Sequence, residues 1–200
     1  VLHQPKSLEI LQFNANFLQI DDSPVLDVRM LGISSSSETF KRFIDLLLSG
    51  IALVVFFIPF VVVYLILKIS GGQAFYVQER VTRDNKIFKI YKFRTMVIDA
   101  EKMSGPVLAQ DVDPRITKIG RILRATRLDE IPQVFNILIG DMSIVGPRPE
   151  RPFFVEQFSK EMPEYNLRHR VKAGLTGLAQ VQGKYNTTAQ DKLKYVLLYI

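Results

Sequence analysis

A run of 22 uncharged residues is the strongest constraint on how this 200-residue chain folds. It extends from Leu46 to Leu67, and as one straight helix it would be about 33 Å long. That length is enough to cross the hydrocarbon core of a bilayer, which is roughly 30 Å thick. The run is too long and lies too far into the chain for a secretory signal peptide. It therefore predicts a membrane element in preference to a buried helix of a soluble domain.

Pro59 lies inside this run and leaves two topologies open. Proline removes a backbone donor and its ring clashes with the preceding turn, so we expect a bend near Ile58. A bent helix can still cross the bilayer, whereas a sharper bend can return the chain to its starting side as a re-entrant hairpin. Lys41 and Arg42 precede the run and Lys68 follows it. Positive charge on both sides favours the hairpin, with both ends in the cytoplasm.

Asp45 stands at the edge of the run, four residues after Lys41 and three after Arg42. These spacings allow an ion pair on one face of a helix. We interpret Asp45 as an interfacial anchor in preference to a catalytic group. Residues 1–40 precede the membrane element, include SSSS at 34–37, and predict a linker with the tail of an upstream module.

Composition excludes several kinds of site and indicates anionic partners. The chain has no cysteine and only two histidines, which excludes disulfide frameworks, thiolate metal sites and a histidine-based zinc site. Residues 1–40 contain two basic and five acidic side chains, and the rest of the chain contains 24 basic and 15 acidic ones. A basic body suits phosphorylated small molecules, anionic lipid or nucleic acid. The chain stops inside KLKYVLLYI, an amphipathic run, and we interpret it as a fragment of a longer protein.

Two segments after the membrane element predict a hairpin and a pair of helices. Residues 74–96 are rich in aromatic and branched side chains on either side of Asp84-Asn85, which predicts a β-hairpin that places Lys92 and Arg94 on one strand face. Residues 113–140 carry helical periodicity, with Thr126 as the expected N-cap of the second helix and Gly140 as its C-terminal glycine.

The acid pair Asp129-Glu130 is the strongest candidate for chemistry. Pro132 is tolerated only in the first turn of a helix, so we expect the acids at a helix N-terminus, where carboxylates are stabilised and phosphate is attracted. With Arg124 and Arg127 nearby, both acids should be ionised at neutral pH. An ionised carboxylate can be a nucleophile toward phosphorus or a ligand of Mg²⁺. By itself the pair would also fit a purely structural cap.

A second stiff and basic motif follows in VGPRPERP. Pro147, Pro149 and Pro152 restrict the backbone, so Arg148 and Arg151 are presented with little ordering entropy left to lose. A prepositioned arginine suits bidentate contact with phosphate. The alternative is a rigid linker with solvated arginines.

These motifs occur together in a recognisable order: KRFID, the proline-broken run, QERV, KFRTM, DPRITKIGR, RLDEIPQVFNILIGDMSIVGPRPE and RHRVKAGLTGLAQVQGKYN. Over residues 40–195 the chain resembles the bacterial sugar transferases that load a polyprenyl phosphate, the monotopic phosphoglycosyl transferases. The acid pair and the GDMSIVGPRP run are the most specific parts of the resemblance.

The resemblance implies a reaction, a site and a location. The family transfers sugar-1-phosphate from a UDP-sugar to undecaprenyl phosphate and releases UMP, which starts exopolysaccharide, capsule or O-antigen synthesis. Asp129 and Glu130 would be the catalytic and Mg²⁺-binding pair, with Asp129 forming a phosphosugar-enzyme intermediate. Substrate would contact Lys92, Arg94, Arg124, Pro147, Arg148 and Pro149. The enzyme would lie on the bacterial inner membrane and face the cytoplasm.

The expected fold is α+β, mainly helical with a small β-hairpin. Residues 1–40 would be the linker, residues 41–70 a re-entrant helix-break-helix containing Lys41, Arg42, Asp45 and Pro59, and residues 71–200 a cytoplasmic catalytic domain cut short at its C-terminus. The expected partners are a UDP-sugar, undecaprenyl phosphate and the lipid bilayer, without nucleic acid and with a homodimer left open. Two alternatives remain: direct metal-assisted transfer without a covalent intermediate, and a membrane-tethered anion binder that is not an enzyme.

Overall fold

The computed structural model describes residues 10, 16–20, 23–27, 35–98, 100, 113–183 and 188–200. The helices in these ranges are α1 (Ser35–Val55), α2 (Phe57–Ile69), α3 (Lys118–Thr126), α4 (Gln133–Ile139), α5 (Pro152–Glu161), α6 (Leu178–Gln182) and α7 (Ala189–Tyr199). The strands are β1 (Asn16–Ile20), β2 (Ser23–Asp27), β3 (Phe75–Val81), β4 (Ile87–Phe93), β5 (Met142–Val145) and β6 (Ala173–Thr176). Short 3₁₀ turns cover Arg83–Asn85, Leu128–Glu130 and Pro163–Arg170.

The strands form small sheets of two strands each. β1 pairs with β2 in antiparallel register from Asn16 opposite Asp27, and β3 is the neighbour of β4. β5 pairs with β6 in parallel, with Met142 opposite Ala173. The predicted mainly helical α+β class is confirmed for the described residues.

The β3–β4 connection confirms the hairpin predicted at Asp84-Asn85. Both residues adopt left-handed backbone angles, with φ of 57° and 58°. Aspartate and asparagine tolerate this conformation better than most residues because their short polar side chains bond locally. The dipeptide therefore turns the chain between the two strands.

The chain divides into two compact units, each with its own apolar core. The first unit comprises Val1–Ile44, Arg80–Phe88 and Asp141–Ile200, and the second comprises Asp45–Glu79 and Lys89–Gly140. Burial in the first unit centres on Ile10, Val81, Val155, Tyr165, Leu193 and Leu197. Burial in the second centres on Val63, Leu67, Ala74, Phe93 and Leu123.

The uncharged run folds as two helices joined at Phe56, and their axes differ by 61°. The break comes three residues before Pro59, so the proline falls in the first turn of α2, where an N–H has no intrahelical partner to lose. In the described part of the chain no single helix is both long and apolar enough to cross a membrane, but α1 and α2 satisfy that criterion together. The bent pair is compatible with a broken span and with a re-entrant loop.

Candidate active site

The acid pair lies in its own 3₁₀ turn between two helices. α3 ends at Thr126, and Arg127 caps it in the left-handed conformation with φ of 59°. The turn Leu128–Glu130 follows, and α4 begins only at Gln133, with Pro132 as its N-cap. Asp129 and Glu130 therefore precede the helix and are not in its first turn, which corrects the expected placement.

The expected N-cap role of Thr126 is wrong, and the expected role of Gly140 is confirmed. The Thr126 hydroxyl donates backward to the carbonyls of Ile122 and Leu123, at 2.9 and 3.2 Å, and so closes the end of α3. Gly140 ends α4 with φ of 102°, a left-handed angle that glycine adopts without steric cost. The threonine signal was ambiguous because the same hydroxyl can satisfy either end of a helix.

Asp129 is buried without a hydrogen bond to one of its oxygens. The residue is 8% exposed, and its Oδ1 has no hydrogen-bond partner among the described residues. Burial raises the pKa of Asp129 above its ordinary value, and the adjacent Glu130 adds to this, against the lowering effect of Lys92, Arg124 and Arg127. Burial therefore has a larger effect on the pKa of Asp129 than the arginines on which the prediction of an ionised pair rested. A carboxylate with a raised pKa and an oxygen free of hydrogen bonds is poorly stabilised as a charged group and is correspondingly reactive.

Glu130 forms an ion pair with Lys92, at the end of β4. Lys92 Nζ donates to Glu130 Oε1 at 2.7 Å, and the two side chains are 18% and 12% exposed. Water screens a pair this far buried less than it screens a surface pair. Lys92, predicted from the sequence to contact substrate, is thus in direct contact with one member of the acid pair.

Asn136 joins the helix after the acid pair to the strand that carries Lys92. Its Oδ1 accepts from the Tyr91 amide at 3.0 Å, and its Nδ2 donates to the Lys89 carbonyl at 2.8 Å. The residue is fully buried. Its side chain thus makes two hydrogen bonds to the β4 backbone of the kind that a neighbouring strand would make, and these fix the position of α4 along β4. Nothing in the sequence indicates this role, because one asparagine in an apolar helix carries no local signal.

Arg94 and Arg124 are the other two residues of the second unit that were predicted to contact substrate, and each donates to a different protein acceptor. Arg124 Nε donates to the Thr95 hydroxyl at 2.9 Å, and Arg94 Nη2 donates to the Gly71 carbonyl at 2.8 Å. Gly120 brings α3 against this strand end, since a Cβ there would overlap the backbone of Thr95.

The described residues contain no cluster of three or more histidine, aspartate or glutamate side chains arranged to hold a metal ion. Magnesium does not require such a cluster, because it commonly uses one or two carboxylates together with substrate phosphates and water. Asp129 Oδ1, which is buried and has no hydrogen-bond partner in the described ranges, fits a ligand of this kind. The acid pair is thus chemically suited to Mg²⁺.

The proline-rich motif lies in the first unit and exposes one arginine between two buried prolines. Pro147 and Pro149 are buried, whereas Arg148 is exposed. In the same unit Lys41 of α1 donates to the buried Ser143 hydroxyl in β5. Arg42 and the predicted anchor Asp45 follow it in α1, where Arg42 is half-buried and Asp45 is 5% exposed.

A family model described as "Bacterial sugar transferase" matches residues 36–200. The chain belongs to this family. The match includes the bent helix pair, the acid pair and the proline-rich loop.

Several curated proteins resemble the chain. A putative undecaprenyl-phosphate N-acetylgalactosaminyl 1-phosphate transferase of Bacillus subtilis is 51% identical over 130 residues, covering 64% of this chain and 72% of that protein. A UDP-N-acetylgalactosamine-undecaprenyl-phosphate N-acetylgalactosaminephosphotransferase of Aeromonas hydrophila is 42% identical, covering 80% of this chain and 38% of that protein. A UDP-glucose:undecaprenyl-phosphate glucose-1-phosphate transferase of Klebsiella pneumoniae is 37% identical, covering 94% and 43%.

These coverages show that the chain spans about two fifths of the Aeromonas and Klebsiella proteins. Their names give different sugars, N-acetylgalactosamine and glucose, on the same undecaprenyl phosphate carrier. The names of these relatives therefore do not agree on one sugar.

Proposed function

We propose that this chain transfers sugar-1-phosphate from a UDP-sugar to undecaprenyl phosphate and thereby starts polysaccharide synthesis. The observation that carries the proposal is the buried Asp129 carboxylate, whose Oδ1 accepts no hydrogen bond from the described residues and which has the Glu130–Lys92 ion pair beside it. A purely structural acid would be expected to have its oxygens satisfied by amide or cationic donors. The chain's membership of the sugar transferase family supplies the class of substrate.

In the proposed reaction Asp129 is the nucleophile. A carboxylate oxygen of Asp129 attacks the β-phosphorus of the UDP-sugar, and the bond from that phosphorus to the bridging oxygen breaks, so that UMP leaves with the electron pair. An oxygen of the polyprenyl phosphate then attacks the same phosphorus and breaks its bond to Asp129. Splitting one transfer into two steps is what a covalent intermediate provides.

The neighbouring residues supply binding and charge. Lys92 keeps Glu130 in place through the 2.7 Å bond and adds positive charge beside the acids. Asp129 and Glu130 would hold Mg²⁺, which when bound supplies positive charge for the phosphate oxygens. Arg148 would contact phosphate from its stiff loop, and we include Lys92, Arg94 and Arg124 as contributors to phosphate binding.

For the membrane element we propose the re-entrant hairpin. One face of α2, containing Phe60, Val63, Tyr64 and Leu67, packs on the core of the second unit. A helix that crossed the bilayer beyond the protein would instead contact lipid around its whole circumference. The remaining surface of the bent pair is strongly apolar, with Val54, Ile58 and Ile69 between 73% and 86% exposed. Apolar exposure of this extent is characteristic of a membrane contact and not of a buried soluble helix.

The nucleophile is tested by measuring UMP formation by the purified full-length protein in detergent, freed of endogenous polyprenyl phosphate. With a UDP-sugar and no polyprenyl phosphate, we expect a burst of UMP of up to one per active site, together with a labelled sugar phosphate trapped on the protein. Asp129→Asn should abolish both signals. Asp84→Asn is the matched control, since that carboxylate lies in the exposed hairpin turn. If UMP formation strictly requires the lipid and no label is trapped, direct metal-assisted transfer replaces the covalent route.

The enzymatic proposal as a whole is tested by following UMP formation with polyprenyl phosphate added, over a panel of UDP-hexoses and UDP-N-acetylhexosamines. A membrane-tethered anion binder would release no UMP from any of them. The sugar that gives the highest kcat/KM identifies the donor.

The hairpin is tested with single cysteines at Ser37 and Gln73, both exposed, in this cysteine-free chain. Neither should react with a membrane-impermeant thiol reagent in intact cells, and both should react after permeabilisation. A cysteine at the exposed Lys160 reports the same side of the membrane for comparison. Labelling of only one of the two test sites in intact cells would establish a true span.

A further inference from the structure

Each residue of the loop Gly146–Glu150 has its backbone bound by another segment of the first unit. The bonds are Gly146 N–H to Thr176 O at 2.9 Å, Gly174 N–H to Pro147 O at 2.8 Å, Arg168 Nη2 to Arg148 O at 2.6 Å, Arg80 Nη1 to Pro149 O at 3.0 Å and Val81 N–H to Glu150 O at 2.9 Å. Each of these five consecutive loop residues therefore has a backbone group fixed by a hydrogen bond. Loops commonly leave several such groups to water.

The loop is also pressed closely against β6. A Cβ on Gly174 would overlap the backbone nitrogen of Gly146, and a Cβ on Gly146 would overlap the Lys172 carbonyl. Only residues without side chains allow the two segments to approach this far. With Pro147 and Pro149 fixing φ on either side, the backbone of Arg148 has almost no freedom.

Arg168 is the least expected of these partners because it is a buried charge. The residue is 6% exposed. One of its terminal nitrogens donates to the Tyr165 hydroxyl, the other donates to the Arg148 carbonyl, and its guanidinium carbon lies 4.7 Å from the centre of the Tyr165 ring. Burying a guanidinium is unfavourable unless its donors are matched. Here one of the two acceptors is the main-chain carbonyl of Arg148, the exposed arginine of the loop.

We propose that Arg168 is a positioning residue that fixes the direction in which Arg148 presents its guanidinium to substrate phosphate. The proposal rests on the proposed function, in which Arg148 binds phosphate. Arg168 itself is too deeply buried to reach a substrate, and its effect passes through the Arg148 carbonyl. A prepositioned arginine loses less entropy when it binds, and a small displacement of a substrate-orienting group weakens the reaction strongly.

The test is a double-mutant cycle on kcat/KM for the UDP-sugar. Arg168→Lys removes the two-pronged contact because one ammonium cannot match both acceptors in the same geometry. We expect it to lower kcat/KM about tenfold, mainly through KM. In an Arg148→Ala background the same substitution should change kcat/KM less than about twofold, because the group it positions is gone. Arg170→Lys, an exposed arginine two residues away, is the matched control.

The outcomes separate the two proposals. If Arg148→Ala leaves kcat/KM unchanged, the phosphate-binding role of Arg148 fails and this inference fails with it. If Arg148→Ala lowers kcat/KM, and Arg168→Lys lowers it by the same factor with and without Arg148, then Arg168 acts independently of Arg148. In that case only the inference is overturned. Should Arg168→Lys not accumulate as folded protein, Tyr165→Phe, which removes one of the two acceptors and keeps the ring, takes its place in the cycle. The inference is supported if the substitution lowers kcat/KM only when Arg148 is present. It is rejected if kcat/KM falls equally in the Arg148→Ala background.

Discussion

The turn Leu128–Glu130 and the loop Gly146–Glu150 differ in which part of the residue is buried. In the turn the Asp129 side chain is buried and one of its oxygens has no hydrogen bond among the described residues. In the loop the backbone is bound at every residue while the Arg148 side chain is exposed. A group proposed to form a covalent bond depends on its electrostatic surroundings, whereas a group proposed to bind phosphate depends on its position. The turn therefore buries the reactive side chain, whereas the loop fixes the backbone and leaves the side chain exposed.

The largest expected effect is that of Asp129→Asn, which should lower activity by at least about 1000-fold because an amide is a poor nucleophile. The same variant should be more stable than the wild type at pH 7 without Mg²⁺. Burial raises the folded pKa of Asp129 above its ordinary value of 3.8, so the wild type carries an unfavourable buried charge above the folded pKa and loses that charge as the pH falls.

The stability gain of Asp129→Asn should therefore be present at neutral pH and vanish by about pH 4. Thermal unfolding of both proteins across this range measures it. An equal or lower melting temperature for the variant at pH 7 would contradict the idea that Asp129 is kept in an unfavourable environment.

His169 provides the contrasting titration in the first unit. It is 5% exposed, neither ring nitrogen has a hydrogen-bond partner among the described residues, and burial, with the Arg168 charge as a second cause, lowers its pKa to about 4 from 6.5. The unfolded chain takes up this proton first, so stability should be fully present above pH 6.5 and fall by about 3 kcal/mol toward pH 4.

Comparing His169→Gln with the wild type in chemical denaturation at several pH values isolates this dependence. We expect the free energy of unfolding of the variant to fall less steeply between pH 6.5 and 4. Parallel pH profiles would mean that His169 is solvated or bonded in the folded protein.

Arg148→Lys tests the phosphate-binding role proposed for the loop. We expect activity to fall about a hundredfold, because a lysine cannot make the two-pronged phosphate contact. The melting temperature should stay the same, because the side chain is exposed and the loop is fixed through its backbone. Activity near that of the wild type would return Arg148 to the role of a solvated linker residue.

The smallest effect expected here is that of Asn136→Leu, a substitution of similar shape that removes both bonds to β4. Leaving the Tyr91 amide and the Lys89 carbonyl unsatisfied should lower the free energy of unfolding by about 2 kcal/mol. Asn166→Leu, at an exposed asparagine, is the matched control. Equal stability of the two variants in urea titrations would show that Asn136 does not tie α4 to β4.

Local signals in the sequence predicted local structure well. Asp84-Asn85 predicted the hairpin, Gly140 the end of a helix, and Pro59 a bend close to where it lies. Each depends on backbone preferences of one or two residues, which act wherever those residues stand. Thr126 was misplaced because a threonine hydroxyl satisfies a helix end on either side, and only the chain that follows decides between them.

The amino-acid sequence by itself determined the apolar run, its break, the acid pair beside Pro132 and the stiffness of the proline-rich loop. It also carried the motifs by which the family is recognised. The tertiary structure alone decided that Asp129 is buried, that Lys92 pairs with Glu130 across 38 positions, and that Arg168 binds the carbonyl of Arg148 and does not face solvent. A pKa, an ion pair and a backbone anchor all depend on which distant segments surround a group, and the charge or type of a residue does not carry that information.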